Sequence, residues 1–460
     1  MSTLREVANM HETTATATSG GFTFWAATLI FVISYAAIIS EKIHKTVVAI
    51  FAAALMVLLH VLQQHEAFHS EELGVDWNVV FLLISMMIII NIMRPTGFFE
   101  YIAIKSARLG KGDPLRIMII FAVVTAMLSA LLDNVTTVLL IAPVTLLISD
   151  ALEVDPVPFL IMEAIASNIG GTATLIGDPP NIMIASKARL DFMDFIIHLT
   201  PVVVLMMVVL VFVIKLVFGK KLHTTEENKQ RILQMNEKDA IKDPVMLKKS
   251  LFVLAVVLLG FVLHGVLHYQ PATIALFGAG LLLLLSKTHN PHHILADVEW
   301  PTIFFFIGLF IIIGGVVKVG LIKLMSVEIL ALTKGNLLAT SMVILWFSAI
   351  ASAIVDNIPY VATMNPLVIN MAEQLWPGQE GLELLQHKEL MPIWWSLALG
   401  ACLGGNGSAI GASANVIVVG MAERAGRKIS FMKFMAYGFP IMILTVFISM
   451  IYVWLRYYVL

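Results

Sequence analysis

Two short motifs, Asp133-Asn134 and Asp356-Asn357, place a carboxylate and an amide in the middle of long apolar segments, LLDNVTT and IVDNIPY. An acidic side chain at membrane depth is costly unless it is paired, protonated or coordinates a cation, so it marks an ion pathway by default. Oxygen ligands of this kind suit a hard cation. These four residues are therefore candidate Na⁺ ligands, and each Asp would alternate between protonated and cation-bound forms. Capping of a half-helix is the alternative role.

Two other segments interrupt apolar runs with glycine, proline and polar residues: GGTATLIGDPPN at 170–181 and GGNGSAIGASAN at 404–415. Lipid cannot satisfy the backbone groups that a broken helix exposes, so such backbone must line a site or a watery cavity. The glycines allow close approach and positive φ, and Pro179 and Pro180 prevent the helix from re-forming. Asp178, whose counterpart is Ala412, fits helix capping as well as ion binding.

These four segments supply one set of candidate ligands, in which carboxylate, amide and hydroxyl oxygens would complete the shell of a cation. No Lys or Arg lies within them, so an anionic substrate would depend on helix N-termini, hydroxyls, amides and co-bound cations. The candidate substrate- or ion-binding residues are Asp133, Asn134, Thr136, Thr137, Asn168, Gly170, Gly171, Thr172, Asp178, Asn181, Asp356, Asn357, Gly404, Gly405, Asn406, Ser408, Ser413 and Asn415.

The composition places these segments in a membrane protein. Of 460 residues, 59% are hydrophobic and 13% charged, and the mean hydropathy is +0.91, which is more apolar surface than a water-soluble core could bury. The one cysteine excludes an intramolecular disulfide. We expect a lipid bilayer and a small ion or small anion as partners, and no nucleic acid. Spans are predicted at 22–40, 46–63, 78–94, 157–188, 196–218, 250–268, 271–286, 300–318, 391–423 and 431–457, with broken blocks at 114–149 and 338–372.

An internal repeat organises these spans. Asp133-Asn134 matches Asp356-Asn357 at an offset of 223 residues, and the two glycine-rich segments align in a shifted register. Five crossings per half would make the copies face opposite ways, which is typical of secondary transporters. The predicted organisation is an N-terminal tail (1–21), a first repeat (22–218), a Lys-rich cytoplasmic linker (219–249) and a second repeat (250–460).

The four motifs resemble a known family. LDNVTTVLLIAPVT, SNIGGTATLIGDPPN, IVDNIPYVATM and GACLGGNGSAIGASANV are similar to the ion transporter superfamily of ArsB-type arsenite permeases, NhaD-type sodium/proton antiporters and citrate transporters, and most of all to its P-protein branch. The resemblance implies an all-α fold with two inverted repeats. Each repeat would contain about five transmembrane helices, a re-entrant hairpin and a broken helix. It also implies a homodimer with elevator-type motion. The dicarboxylate branch carries Ser-Asn-Thr at its hairpin tips, and the Asp-Asn pairs here argue against dicarboxylate recognition.

The sequence therefore predicts an ion-coupled secondary transporter of a bacterial inner membrane, most simply a cation/proton antiporter that needs no cofactor beyond Na⁺ or H⁺. A permease for arsenite, citrate or another small anion is the alternative within the superfamily, and an ion channel is the alternative of another class. HEAFH at 65–69 fits the H-E-x-x-H pattern of zinc proteases. Because it lies in an expected loop without a clear third ligand, we predict no enzyme activity.

Overall fold

The computed structural model describes residues 21–40, 42–286 and 291–460, and all regular secondary structure within them is helical. In these ranges, nine helical segments are long and apolar enough to cross a membrane, and three shorter apolar helices accompany them. The prediction of an all-α, multi-pass membrane protein is confirmed.

The helices follow the predicted spans closely. The first half contains α1 (Phe22–Ser40), α2 (Lys45–Leu58), α3 (Gln64–His69), α4 (Trp77–Met93), α5 (Phe98–Leu109), α6 (Pro114–Leu131), α7 (Asn134–Leu152), α8 (Val157–Gly171), α9 (Pro179–Ala188), α10 (Phe192–His198) and α11 (Thr200–Phe218). The linker carries α12 (Glu226–Gln234). The second half contains α13 (Pro244–Leu267), α14 (Pro271–Ser286), α15 (His292–Ala296), α16 (Trp300–Lys318), α17 (Leu321–Thr333), α18 (Leu337–Ile354), α19 (Asn357–Leu375), α20 (Gly381–Leu385), α21 (Met391–Gly404), α22 (Ser413–Arg424) and α23 (Phe431–Trp454).

Helix boundaries recur at the offset seen in the sequence. Helices α6 and α18 begin and end 223 residues apart, and so do α7 and α19. The breaks therefore fall at Asp133 and Asp356, as predicted. The later breaks also agree, since α8 and α9 flank one glycine-rich segment and α21 and α22 flank the other.

Three details differ from the sequence-based picture. The predicted span 196–218 is divided at Leu199 into α10 and α11. Helix α13 starts at Pro244 rather than at 250, because the Asp243 side chain accepts hydrogen bonds from two backbone N–H groups and starts the helix before its apolar part begins. The HEAFH segment forms helix α3 instead of a loop.

The glutamate of the HEAFH motif is already bound by protein groups. The Glu66 carboxylate accepts a hydrogen bond from the Gln63 backbone N–H (2.7 Å) and pairs with Lys318 Nζ (2.6 Å). The Lys318 ammonium lowers the pKa of the Glu66 carboxyl. A low pKa and two bound donors make Glu66 a poor general base, which the zinc-protease reading would require.

The chain divides into two compact units that each draw segments from both halves. The first comprises the described residues up to Val80, with Glu299–Asn336 and Ala362–Leu384, and the second comprises Phe81–Val298, Leu337–Val361 and Leu385–Leu460. In the first unit, Gly308 of α16 lies against the backbone of Ala49 in α2. Every candidate binding residue lies in the second unit, where α6 packs on α8 and α18 packs on α21. The boundaries of the two repeats remain a prediction.

The packing of α6 on α8 depends on a glycine. A Cβ atom at Gly170 would lie 2.2 Å from the carbonyl oxygen of Ala126 and 2.4 Å from its Cα. The second half repeats this contact, since a Cβ at Gly404 would lie 2.5 Å and 2.7 Å from the same atoms of Ala349. Backbone atoms cannot move aside as a flexible side chain can, so both positions require glycine.

We predict that Gly170→Ala destabilises the protein by about 1–3 kcal/mol, because the added methyl group forces α6 and α8 apart. The matched control is Gly420→Ala in α22, where a Cβ would meet no atom within 4 Å. The control should be neutral or stabilising by up to about 1 kcal/mol, since alanine favours a helix over glycine. Thermal unfolding of the purified proteins in detergent measures both. Equal stability of the two variants would contradict the close approach.

Candidate functional site

The two broken helices are closed by the same hydrogen bonds. Asn181 Nδ2 donates to the carbonyl oxygen of Thr174 (2.9 Å), and Asn415 Nδ2 donates to that of Ser408 (2.9 Å). Each amide therefore binds carbonyl groups that the break deprives of helical partners. The glycines act here by close approach, because the glycines with positive φ in the described chain lie elsewhere, at Gly97 and Gly320 among others. The expectation of positive φ at the breaks is wrong.

Hydroxyl groups bind each break to the helix that precedes the Asp-Asn motif, in equivalent ways in the two halves. The Ser129 hydroxyl donates to the Ser167 carbonyl (2.7 Å), and its counterpart Ser352 donates to the Ala401 carbonyl (2.7 Å). Likewise, the Thr174 hydroxyl donates to the Ala130 carbonyl (2.5 Å), and its counterpart Ser408 donates to the Ala353 carbonyl (2.6 Å). Duplicated hydrogen bonds at buried positions support a true structural repeat.

Asp178 is where the two halves of the site meet. Asn134 Nδ2 donates to its Oδ1 (3.0 Å), and Asn357 Nδ2 lies 3.3 Å from both carboxylate oxygens. The Cys402 thiol is a further hydrogen-bonding neighbour. Asp178 is fully buried and occupies the N-cap position of α9, yet its side chain makes no capping hydrogen bond. The geometry therefore does not support the capping role of Asp178, and ion binding at this residue stays a prediction.

A second cluster of amides adjoins Asp178. Asn168 Oδ1 accepts a hydrogen bond from Asn134 Nδ2 (3.3 Å), and Asn168 Nδ2 donates to Asn406 Oδ1 (3.0 Å) and Asn415 Oδ1 (3.0 Å). In the opposite direction, the Cys402 thiol contacts Asn181 Oδ1 (3.5 Å). Asn168 and Cys402 are equivalent positions in the two repeats, so each break binds the asparagine of the other.

Asp133 and Asp356 bind mainly local groups. Asp133 caps α7 by accepting from the backbone N–H of Thr136 (2.7 Å) and from its hydroxyl (2.5 Å), which is the alternative role that the sequence left open. Asp356 accepts from the Ile358 N–H (3.1 Å) and from the Ser413 hydroxyl (2.8 Å). The asparagines of the two Asp-Asn motifs therefore reach the centre of the site, and Asp133 does not.

The remaining candidates support this cluster. Thr172 Oγ1 donates to the Asn168 carbonyl (2.8 Å), and Thr137 is buried on α7. Gly170, Gly171, Gly404 and Gly405 lie at tight backbone contacts. The structure thus brings together Asp178, Asn134, Asn357, Asn168, Asn406, Asn415 and Asn181. Thr136 binds the Asp133 carboxylate, and Ser413 binds that of Asp356.

The charge balance of the cluster is unusual. Within the described residues, Asp178 pairs with no lysine, arginine or histidine. Two buried amide atoms also lack a protein partner: the acceptor Asn134 Oδ1 and the donor Asn406 Nδ2. A buried carboxylate with only neutral donors favours either a proton or a bound cation, and an unpartnered buried acceptor next to it favours the cation.

Two buried residues of the second unit escaped the sequence reasoning. Glu163 on α8 accepts a hydrogen bond from the Thr145 hydroxyl (2.6 Å), and its position within LIMEAIAS was a detectable intramembrane acid. Cys402 resembles a small packing residue in the sequence, and only its equivalence to Asn168 indicates contact with the site.

Comparison with known proteins decides the family. A family model described as CitMHS, citrate transporter, matches residues 35–400. The chain belongs to the citrate transporter family. The resemblance to the ArsB and NhaD superfamily is thereby confirmed, and the family consists of transporters rather than enzymes.

Relatives of this citrate transporter family chain include an uncharacterized transporter of Mycobacterium bovis, 48% identical over 435 residues that cover 94% of this chain and 99% of that protein. The 46 kDa membrane protein of Mycobacterium leprae is 44% identical, with the same coverage. The human P protein is 34% identical over 93% of this chain and 59% of its own length, as the motifs indicated. The chain is a multi-pass integral membrane protein of the bacterial plasma membrane.

The different roles of Asp133 and Asp178 predict different responses to serine. Asp133→Ser keeps a good N-cap and should leave stability and transport close to wild type, whereas Asp133→Ala should cost about 1 kcal/mol of stability. Asp178→Ser removes the shared carboxylate and should abolish transport. Unfolding in detergent and flux in proteoliposomes distinguish the two positions. A stable Asp133→Ser protein without transport would make Asp133 an ion ligand after all.

Proposed function

We propose that this chain is an ion-coupled secondary transporter that exchanges Na⁺ for protons across the membrane, with Asp178 as the carboxylate that binds the cation. The observation that carries the proposal is the convergence of Asn134 and Asn357, from equivalent breaks in the two halves, on Asp178. Because this carboxylate binds an amide from each repeat, its hydrogen bonds change when either proposed hairpin moves, as coupling requires.

The amide groups allow the cation to bind without repacking. In the described state the Asn134 amide donates its Nδ2 to Asp178 while its Oδ1 has no protein partner. A half-turn of this amide would place an acceptor beside the carboxylate, and Asn357 could turn in the same way. Two amide oxygens and a carboxylate oxygen then form the start of an oxygen shell of the kind that hard cations prefer.

Alternating access would arise from two copies of one architecture. The equal helix offsets and the duplicated hydrogen bonds support repeats, and we propose that the copies are inverted and that α6–α7 and α18–α19 are re-entrant hairpins. In this proposal the cluster around Asp178 moves across the membrane by an elevator-type motion within a homodimer. Charge neutralisation of Asp178 by a cation would make that movement possible, because a buried unpaired carboxylate opposes transfer through lipid.

Citrate transport is the second candidate. The matching family is described as a citrate transporter, and the unpartnered donor Asn406 Nδ2 is suited to an anionic oxygen. However, a substrate with several carboxylates would face the unpaired Asp178, so citrate would have to enter together with cations. Sodium/proton exchange needs no such additional charge, and we favour it for that reason.

We predict that Na⁺ stabilises the purified protein and that Asp178→Asn removes this stabilisation. At a concentration of about 100 times its Kd, a ligand that binds only the native state adds about 2.7 kcal/mol. Asn134→Ala and Asn357→Ala should weaken the effect similarly, because each removes one equivalent amide. The control is Asp150→Asn, whose exposed carboxylate lies near Arg427 at the other end of α7 from Asn134. Thermal shift in NaCl against KCl measures the effect.

The matching transport experiment uses proteoliposomes that contain a trapped pH dye. A Na⁺ gradient should drive proton movement in the wild type and in Asp150→Asn, and should fail to do so in Asp178→Asn. Uptake of labelled citrate with no Na⁺-driven proton movement would replace the exchange proposal by the citrate one. Unchanged exchange in Asp178→Asn would exclude Asp178 as the coupling site.

A further inference from the structure

Besides Asp178 and Asp133, the second compact unit contains a further buried acidic residue, which has no role in the proposed cation site. Glu163 is the seventh residue of α8, is 2% exposed and pairs only with the Thr145 hydroxyl among the described residues. At 1.5 Å per residue, it lies about 9 Å along the helix from Val157 and about 7.5 Å before Asn168. Glu163 therefore sits between the end of the α7–α8 pair and the cluster around Asp178.

Among the residues that the structure describes, no ion pair neutralises Glu163. Helices α6, α7, α11, α21, α22 and α23 pack against α8, and their charged residues lie mostly toward the helix ends. No ion pair joins Glu163 to any of these residues or to Arg456 just beyond α23. The residues are Arg116, Asp133, Asp150, Lys215, Glu423, Arg424, Lys433 and Arg456. An intramembrane carboxyl without a counter-ion is either protonated or functional in moving protons.

Polar side chains lie on both sides of Glu163 along the α7–α8 helix pair. Asn134, Thr145 and Ser149 lie along one side of α7, and Ser167 lies one turn beyond Glu163 on α8. The Ser167 hydroxyl donates to the Asn134 carbonyl (3.1 Å), which joins this row to the cation cluster. Glu163 therefore lies between the cluster around Asp178 and the end of α7 at Leu152, with polar side chains on both sides of it.

Three buried hydroxyl groups without a partner lie on α7 and on the neighbouring α6. In the part of the chain that the structure describes, Thr125 Oγ1, Thr137 Oγ1 and Ser149 Oγ are buried and have no hydrogen-bond partner. Thr137 and Ser149 belong to α7, and Thr125 belongs to α6, which packs on α8. Buried hydroxyl groups require partners, and a bridging water molecule supplies them where the site is polar.

The second repeat lacks this device. In the register that aligns Gly170 with Gly404, the residue equivalent to Glu163 is Leu397, and Asp178 is matched by Ala412. The two buried carboxylates of the broken helices, Glu163 and Asp178, thus both belong to the first repeat. The scaffold of the repeat does not need an acid at this position, since Leu397 is fully buried in the equivalent helix.

We propose that Glu163 is a proton-binding site distinct from the cation site, which takes up a proton through the α7–α8 end in one state of the transport cycle and releases it to the opposite side of the membrane in the other state. The inference rests on the proposed exchange function and names the group that binds its proton. The proton binds a carboxylate oxygen of Glu163, neutralises it while the unit moves, and leaves as the same O–H bond breaks. In this scheme Na⁺ neutralises Asp178 in one direction of movement and the proton neutralises Glu163 in the other, so the two ions bind separate groups and are exchanged, not carried together.

The test combines infrared titration and flux on the full-length protein. Glu163→Gln should lose the carboxylic-acid C=O band that changes with pH in the wild type, and should lose Na⁺-driven proton flux, while the thermal stabilisation by NaCl persists. The control Asp150→Asn should retain all three signals. An unchanged band or an unchanged proton flux in Glu163→Gln would overturn the proposal.

A second variant covers the possibility that Glu163→Gln does not fold. Thr145→Val keeps the carboxyl group and removes its hydrogen-bond donor, so the band should move in frequency and the flux should change its pH midpoint without disappearing. No change in either would also overturn the proposal. If the wild type shows no proton flux but retains a band that depends on Glu163, the exchange function fails while the proton site stands.

Discussion

A buried carboxylate without a counter-ion, held by amides from two different helix breaks, is the constraint on which the site depends. Asp178 accepts hydrogen bonds from Asn134 and Asn357 and pairs with no basic residue in the described chain. Neutral donors compensate only part of the cost of burying a charge. A proton or a cation would supply the missing positive charge, and this is the basis of the proposed ion binding at Asp178.

The broken helices make that arrangement possible. A continuous helix would direct all its N–H groups to its own carbonyls, whereas the breaks before Pro179 and Ser413 leave carbonyls that Asn181 and Asn415 bind. Glycine at the contact with α6 lets the breaks lie deep in the protein. Each buried break therefore depends both on glycine, which allows close packing, and on asparagine, which binds the free carbonyls, and this arrangement occurs twice in the chain.

The sequence predicted the helices and the breaks well, because apolar runs, Asp-Asn and glycine-proline clusters act locally. The sequence put Asp133 and Asp356 first among the carboxylates, whereas the structure leads us to propose Asp178. Asp133 and Asp356 occupy symmetric positions, and symmetry favoured them, yet Asp133 satisfies itself as a cap of α7 and leaves the centre to the asymmetric Asp178. The amides of Asn134 and Asn357 reach Asp178 because of how side chains point between helices that are far apart in sequence, which a sequence pattern does not reveal. Glu163 was missed although LIMEAIAS places an acid within an apolar run, and only the structure shows its partner Thr145 on another helix.

The most direct measurement of the central claim is a pair of cryo-electron microscopy maps of the protein in lipid nanodiscs, one in NaCl and one in a buffer with an impermeant organic cation. The account predicts Asn134 and Asn357 on either side of Asp178 in both maps, with an additional density between the three side chains only in NaCl. Tip asparagines far apart, or an Asp178 side chain bonded to the first N–H groups of α9 and identical in both maps, would contradict it.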